Sequence, residues 1–178
     1  GYAVRVGAGA SERLPDSGDP RLIDYAFDHR TDFGDIYLPA NCKFFVGGGS
    51  GMNAVPLVFN VPVADVASNN YPVLPLNDYV HILGFGRRDL FIPRPIYSPS
   101  KERLLTFRDI LGSEVRFFQE AHKHEEIGLQ PQESSPEDIL DLVKEMNERL
   151  DGQYSYTEED EALQYRFRSL IQPQPENF

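Results

Sequence analysis

A run of glycine between two apolar segments is the feature that most constrains the fold of this chain. The run 47–51 follows the apolar residues Phe44, Phe45 and Val46 and precedes a segment of helical character. Glycine lets backbone N–H groups approach an anion closely, a serine adds a hydroxyl donor, and the following helix directs its positive end to the same place. The pattern predicts either a tight packing turn or a diphosphate site formed by Gly48, Gly49, Ser50, Gly51 and Met52.

The segments around this turn alternate in the manner of a parallel α/β sheet. A strand, a glycine turn, a helix and a second strand follow one another, which places the turn at the carboxyl edge of the sheet. We therefore predict a partial, doubly wound, Rossmann-like parallel sheet of about four or five strands. Strands are predicted at 2–6, 22–25, 42–46, 61–66 and 89–92, short helices at 35–41 and 52–59, and long loops over most of 67–99.

The last third of the chain predicts C-terminal helices. Helical stretches are predicted at 106–112 and 114–124, Ser135 caps a helix that ends near 150, and Thr157 caps a last helix that ends near 171. The predicted organisation is a Rossmann-like domain over 1–112, a helical segment over 113–171 that packs on it, and a disordered tail over 172–178.

Two charged residues outside the turn are further site candidates. Asp35 is expected to open the helix that leads into strand 42–46, where it either stabilises the helix N-terminus, accepts hydrogen bonds from a sugar hydroxyl, or fixes the glycine turn. Arg5 lies in an otherwise apolar strand, so it either binds a phosphate or pairs with an internal carboxylate. Tyr25, Asn69, Asn70 and Tyr71 are either pocket-lining residues or plain loop residues.

Charge and composition exclude several classes of function. A net charge of -11 argues against nucleic-acid binding. No apolar run of 18 or more residues is present, which predicts no transmembrane segment. The single cysteine, Cys42, is expected to be packed rather than nucleophilic, and the absence of Cys/His groupings predicts no metal site and fits a reducing cytoplasm.

Several segments together resemble a family of bacterial glycosyltransferases that are associated with surface-polysaccharide biosynthesis. The resemblance covers nearly the whole chain, and more distantly it extends to the donor-binding half of fucosyltransferases that use GDP-fucose and of heptosyltransferases. The segments that carry it are 23–26, 30–38, 42–47, 50–51, 61–62, 89–93, 105–111 and 135–139.

The resemblance implies the C-terminal, donor-binding half of an enzyme of the two-Rossmann-domain (GT-B) type. In such enzymes the turn holds the donor diphosphate, so Ser50, Gly51 and Met52 would contact phosphate and Asp35 would support the site. The implied partners are a nucleoside-diphosphate sugar and a glycan or lipid-linked acceptor, and no cofactor or divalent metal is implied. The implied location is the cytoplasm, free or peripheral to the inner membrane.

The same resemblance implies that a part of the protein lies upstream. The chain begins at Gly1 rather than at a methionine, and the acceptor-binding domain and the catalytic base are expected before it. The isolated chain is thus expected to bind a donor poorly and to transfer nothing. The alternatives are a non-catalytic nucleotide-sugar or phosphate-binding module, and a nucleotide-sugar epimerase that uses Asp32, Asp35 or His29.

Overall fold

A computed structural model describes residues 1–48, 50–68, 88–118 and 120–171 as a mixed α/β structure with parallel sheets and helices. The strands are β1 (Ala3–Val4), β2 (Leu22–Ile23), β3 (Phe45–Gly47), β4 (Val63–Ser68), β5 (Leu90–Pro93), β6 (Ile96–Ser98), β7 (Arg103–Leu104) and β8 (Gln130–Pro131). The α-helices are α1 (Tyr25–Asp28), α2 (Asp32–Asn41), α3 (Ala54–Val58), α4 (Phe107–Leu111), α5 (Ala121–Glu126), α6 (Pro136–Leu150) and α7 (Glu158–Ile171). The predicted tail 172–178 lies outside the described residues, as do Gly49, Asn69, Asn70 and Tyr71.

The strands form three sheets instead of the single parallel sheet that the sequence predicts. β1 pairs with β2 in parallel, β3, β4 and β5 form a parallel sheet with β4 in the centre, and β6 pairs antiparallel with β7 and β8. The first pair stays short because the chain bends after Val4: the carbonyl of Arg5 accepts a hydrogen bond from Ala26 N of α1 rather than from a strand. The antiparallel strands fall within or beside segments predicted as loops, because two- or three-residue strands show no readable alternation.

The central sheet is buried on both faces, as parallel sheets usually are. On β4, Val63 and Ala64 have no exposed surface. Ala64 packs against Leu142 and Met146 of α6, and Met146 is likewise fully buried. A second core beside the antiparallel sheet is formed by Ile96, Ile110, Val115 and Leu129.

Side-chain caps set the starts of the main helices. The Ser135 and Thr157 side chains accept hydrogen bonds from Asp138 N and Asp160 N, which confirms both predicted caps. α2 begins at Asp32 instead of residue 35, because the Thr31 hydroxyl accepts a hydrogen bond from Gly34 N at 3.0 Å. The predicted helix 114–124 is instead a 3-10 turn at Glu114–Phe117 followed by α5, since Phe118 has an extended backbone.

None of the helices within the described ranges combines the length and the apolar composition that crossing a bilayer requires.

Replacing Gly34 with alanine should destabilise the fold even though alanine favours helices by about 1 kcal/mol over glycine. A Cβ at this position would overlap the ring hydroxyl of Tyr25, which is fixed by hydrogen bonds with the backbone of Thr31. We expect the free energy of unfolding to fall by about 1–3 kcal/mol in urea denaturation. Gly9→Ala is the control because a Cβ at Gly9 meets nothing within 4 Å; equal or greater stability of Gly34→Ala would contradict the packing argument.

Candidate functional site

The glycine turn lies at the carboxyl end of β3, as predicted. β3 ends at Gly47, Ser50 has an extended backbone, and a 3-10 turn over Gly51–Asn53 leads directly into α3. The chain then returns into β4, which is parallel to β3. Gly48, Ser50, Gly51 and Met52 are thereby brought together at the carboxyl edge of the central sheet, and Gly49 lies outside the described residues.

The turn has the hydrogen-bond donors and the space that an anion requires. Gly51 and Met52 occupy the first two positions of the 3-10 turn, so their N–H groups have no acceptor inside it. The Ser50 hydroxyl makes no capping hydrogen bond. A Cβ built on Gly51 would meet no atom of the described residues within 4 Å, so packing among them does not require a glycine there.

Gly47 is a glycine for a different reason. A Cβ on Gly47 would overlap Asn53 Oδ1 and lie 2.6 Å from Cε1 of Phe45. Both neighbours are buried, so neither has room to withdraw. Gly47 therefore serves the packing of the turn, whereas the space in front of Gly51 is open.

A buried carboxylate lies beside the turn on the central strand. Asp65 pairs in register with Gly47, and its exposed fraction is 3%. Asp65 Oδ1 accepts a hydrogen bond from Ala67 N at 3.1 Å. Burial raises the pKa of Asp65, and both the hydrogen bond from Ala67 and the positive charge of Arg94 oppose this rise. A carboxyl group with a raised pKa in this position is typical of functional sites.

Asn53 is a second buried polar group at the turn. Its exposed fraction is 9%, and Oδ1 is buried without a hydrogen-bond partner among the described residues. Leaving a buried acceptor unsatisfied costs about 1–3 kcal/mol. A buried acceptor that folds at such a cost calls for a partner, and a bound ligand is one such partner.

His124 is a buried histidine on α5 whose pKa is also affected by the positive charge of Arg94. His124 is 2% exposed, its Nδ1 lies 3.2 Å from the carbonyl oxygen of Glu120, and its ring packs edge-on against Phe118. Burial lowers the pKa of His124, and the charge of Arg94 lowers it further, against the raising effect of the hydrogen bond to Glu120. At neutral pH His124 is therefore an uncharged imidazole.

The two charged candidates outside the turn are both occupied by ion pairs. Arg5 pairs with Asp24 at 3.4 Å and donates to the carbonyl of Glu12 at 2.8 Å, so the internal carboxylate that the sequence allows as its partner is present. Asp35 is buried in the first turn of α2 and pairs with Arg30 at 2.7 Å. Asp35 Oδ1 has no hydrogen-bond partner in the described part of the chain, and α2 packs against α3, the helix that follows the glycine turn.

The remaining sequence candidates lie away from the turn or are engaged elsewhere. Asp32 is fully exposed and His29 is an exposed residue at the end of α1, so neither is enclosed in a pocket. Cys42 is half-buried at the end of α2, donates to the carbonyl of Pro39 at 3.3 Å, and has a pKa raised by burial. Within the described ranges no group of three or more His, Cys, Asp or Glu side chains is placed to hold a metal ion.

Sequence reasoning does not identify Asn53, Asp65, Arg94 or His124. The one available signal is Asp65, a charged residue inside an apolar strand, which is rare unless the charge has a partner or a role. Arg94 follows other basic residues in a segment of polar character, yet its side chain is only 21% exposed. His124 and Asn53 give no signal, because their burial depends on contacts with segments distant in the sequence.

Replacing Asp65 with asparagine should stabilise the protein. Because burial raises the pKa of Asp65 in the folded state, the free energy of unfolding falls as pH rises from 3.8 through the folded-state pKa. The substitution removes this loss, which is about 1.4 kcal/mol for each tenfold difference in proton affinity between the folded and unfolded states. Thermal unfolding at pH 7 should therefore show a higher midpoint. Asp24→Asn, which weakens an ion pair with Arg5, should show a lower one, and a lower midpoint for Asp65→Asn would contradict this account.

The stability of the protein should also fall in mild acid because of His124. Its folded-state pKa lies below the ordinary value of 6.5, so the unfolded chain binds the proton more readily and the free energy of unfolding rises with pH across that window, then levels off. Urea denaturation from mildly acidic to mildly alkaline pH should show this rise, and His124→Phe should reduce it. The control is His122→Phe, which removes an imidazole that is 61% exposed; an unchanged pH profile in His124→Phe would refute the role of His124.

No protein-family model, no curated protein and no solved structure matches this chain. What the chain does is therefore inferred from the geometry of the turn and of the polar side chains beside it.

Proposed function

We propose that this chain is the donor-binding part of a GT-B glycosyltransferase, one that transfers a sugar from a nucleoside-diphosphate sugar to a surface-glycan or lipid-linked acceptor. The diphosphate binds at the turn formed by Gly48, Gly49, Ser50, Gly51 and Met52. The central parallel sheet is the Rossmann-like core of this half, and the acceptor-binding domain belongs to a separate, upstream part of the protein. The reaction takes place in the cytoplasm.

The observation that carries this proposal is the open turn at the carboxyl edge of a parallel sheet. Ligands of open α/β sheets bind at that edge. The N–H groups at the start of the 3-10 turn have no acceptor within it, and no atom of the described residues lies within 4 Å of a Cβ on Gly51. A phosphate oxygen bound at the turn needs both of these properties.

The implied contribution to catalysis is electrostatic. When an acceptor hydroxyl attacks the anomeric carbon, the bond to the diphosphate breaks and negative charge develops on the phosphate oxygen that leaves. Backbone N–H groups of the turn and the Ser50 hydroxyl stabilise that charge because they are already oriented before the reaction. The acceptor proton is taken by a base outside this chain, so the isolated chain binds donor weakly and transfers no sugar.

A non-catalytic nucleotide-sugar-binding module is the second candidate function. It is favoured by the ion pairs of Arg5 with Asp24 and of Asp35 with Arg30, since both charged candidates are held by internal partners. The turn alone provides binding groups without an acid or base. Binding with neither transfer nor hydrolysis, in a version of the protein extended upstream of Gly1, would favour this module.

Calorimetric titration with GDP and with UDP tests the diphosphate site, on this chain and on the version extended upstream. Gly51→Val should abolish binding while the protein stays folded, because its side chain enters the open space where the phosphate is expected. Ser50→Ala, which removes one hydrogen bond, should weaken binding by about 3- to 10-fold. Gly9→Val is the control, as a Cβ there also meets no atom within 4 Å.

Absence of binding by the extended protein, or unchanged binding by Gly51→Val, would refute the diphosphate site. Gly47→Ala is not informative in this test, because its Cβ would disturb buried Asn53 and Phe45 and hence the turn itself.

A further inference from the structure

We propose that Asn53 and Asp65 form a hydroxyl-binding pocket beside the glycine turn, which holds the sugar ring attached to the bound diphosphate. This inference rests on the proposed diphosphate site and adds to it the residues that recognise the sugar. It assigns a ligand to the buried Asn53 Oδ1, which has no hydrogen-bond partner among the described residues, and to the buried Asp65 carboxylate on the neighbouring strand.

The two side chains lie on one face of the central sheet. Paired residues of neighbouring parallel strands direct their side chains to the same face. Because Gly47 pairs with Asp65, the Asp65 carboxyl leaves the sheet on the face where a Cβ of Gly47 would stand. Asn53 Oδ1 lies beside that same position. The strand that carries Asp65 lies one strand spacing, about 4.8 Å, from the strand that carries Gly47. Asn53 Oδ1 lies beside Gly47, so it is near Asp65 on the same face.

Both groups offer acceptor oxygens. Asn53 Oδ1 has no hydrogen-bond partner within the described ranges, and the Asp65 carboxylate accepts a hydrogen bond from Ala67 N. The side chains are 9% and 3% exposed, respectively. A ligand that brought donors to them would satisfy groups that otherwise remain desolvated, and buried groups of this kind are strongly selective for such a ligand.

The chemistry of these acceptors selects hydroxyl groups rather than phosphate. A fully ionised phosphate has no donor and would be repelled by the Asp65 carboxylate. A sugar hydroxyl donates one hydrogen bond and keeps its own acceptor for another group. The diphosphate therefore belongs at the N–H groups of Gly51 and Met52, and the adjoining sugar belongs at Asn53 and Asp65.

Two sugar rings flank the diphosphate of a nucleotide sugar, the transferred hexose and the ribose, and both carry vicinal hydroxyls. Three ligands distinguish a pocket for the hexose from a pocket for the ribose. Pyrophosphate has no ring, GDP or UDP has the ribose, and GDP-fucose or UDP-glucose has both rings. The base of the nucleotide ligands, guanine or uracil, is that of the nucleoside diphosphate that binds in the titration with GDP and UDP. Calorimetry on the version extended upstream, with and without Asp65→Asn, measures the affinity for each ligand.

Asp65→Asn should affect the affinity for pyrophosphate and the affinity for the ring-bearing ligand differently. Removing the negative charge should leave pyrophosphate binding equal or tighter, whereas loss of a charged acceptor should weaken binding of the ring-bearing ligand by about 10- to 100-fold. A loss confined to the sugar nucleotide assigns the pocket to the hexose, and a loss shared by the nucleoside diphosphate assigns it to the ribose. An equal change for all three ligands, or no change, would overturn the hydroxyl pocket and leave the diphosphate site intact.

If the wild-type version extended upstream binds none of the three ligands, the diphosphate site itself fails and this inference fails with it. Asp24→Asn is the matched control, since it makes the same substitution at a carboxylate whose side chain is 8% exposed in the β1–β2 region. It should leave the ratio of sugar-nucleotide to pyrophosphate affinity unchanged.

Asn53→Leu gives an independent readout. Replacing an unsatisfied buried amide by an apolar side chain of similar size should keep or raise the thermal midpoint, because the Oδ1 atom loses no hydrogen bond. The same variant should lower the preference for the ring-bearing ligand over pyrophosphate by about 3- to 10-fold. A stable, folded Asn53→Leu protein with an unchanged preference would overturn the role of Asn53.

Discussion

Burial of the central strand β4 on both faces is the constraint on which the rest of this structure depends. Ala64 faces α6, where it meets Leu142 and Met146, and the neighbouring Asp65 faces the opposite side. Because β4 lies between β3 and β5, its position fixes where both of their carboxyl ends lie. The glycine turn is located by this packing. Among its own residues Gly47, Gly48 and Asn53 contribute to it, since a Cβ on Gly48 would lie 3.2 Å from the Cβ of Ala67 on β4.

Local signals predict the helices, and in particular their starts. Ser135 and Thr157 cap α6 and α7 as expected, since a cap involves only residues three positions apart. The order of strand, turn, helix and strand in the central unit is also predictable, because its signals lie within short stretches of neighbouring residues. The grouping of strands is not, because whether β1 joins β3 in one sheet depends on contacts between distant residues. At the site, the position of the turn is predictable, whereas Asn53 and His124 show their importance only through burial in the folded protein.

The internal ion pairs show how an acidic chain arranges its cations. Arg5, Arg30 and Lys43 each lie within 3.4 Å of a carboxylate. These pairs connect loops and helix ends around the sheet, so their charges serve the architecture. The proposed phosphate site would use backbone N–H dipoles at short range instead of charged side chains, and a net charge of -11 does not exclude it.

The contact between β4 and α6 also affects how the protein is made. The Lys43 ammonium, just before β3, bonds to Asp151, just after α6, across 108 residues of sequence. A ribosome adds about 5–20 residues per second, so roughly 5 to 20 seconds separate synthesis of the first strand of the central sheet from synthesis of the helix that covers it. Throughout that interval the apolar face of the nascent sheet lacks the helix that buries it. We therefore expect chaperones that shield exposed strands to bind the emerging chain.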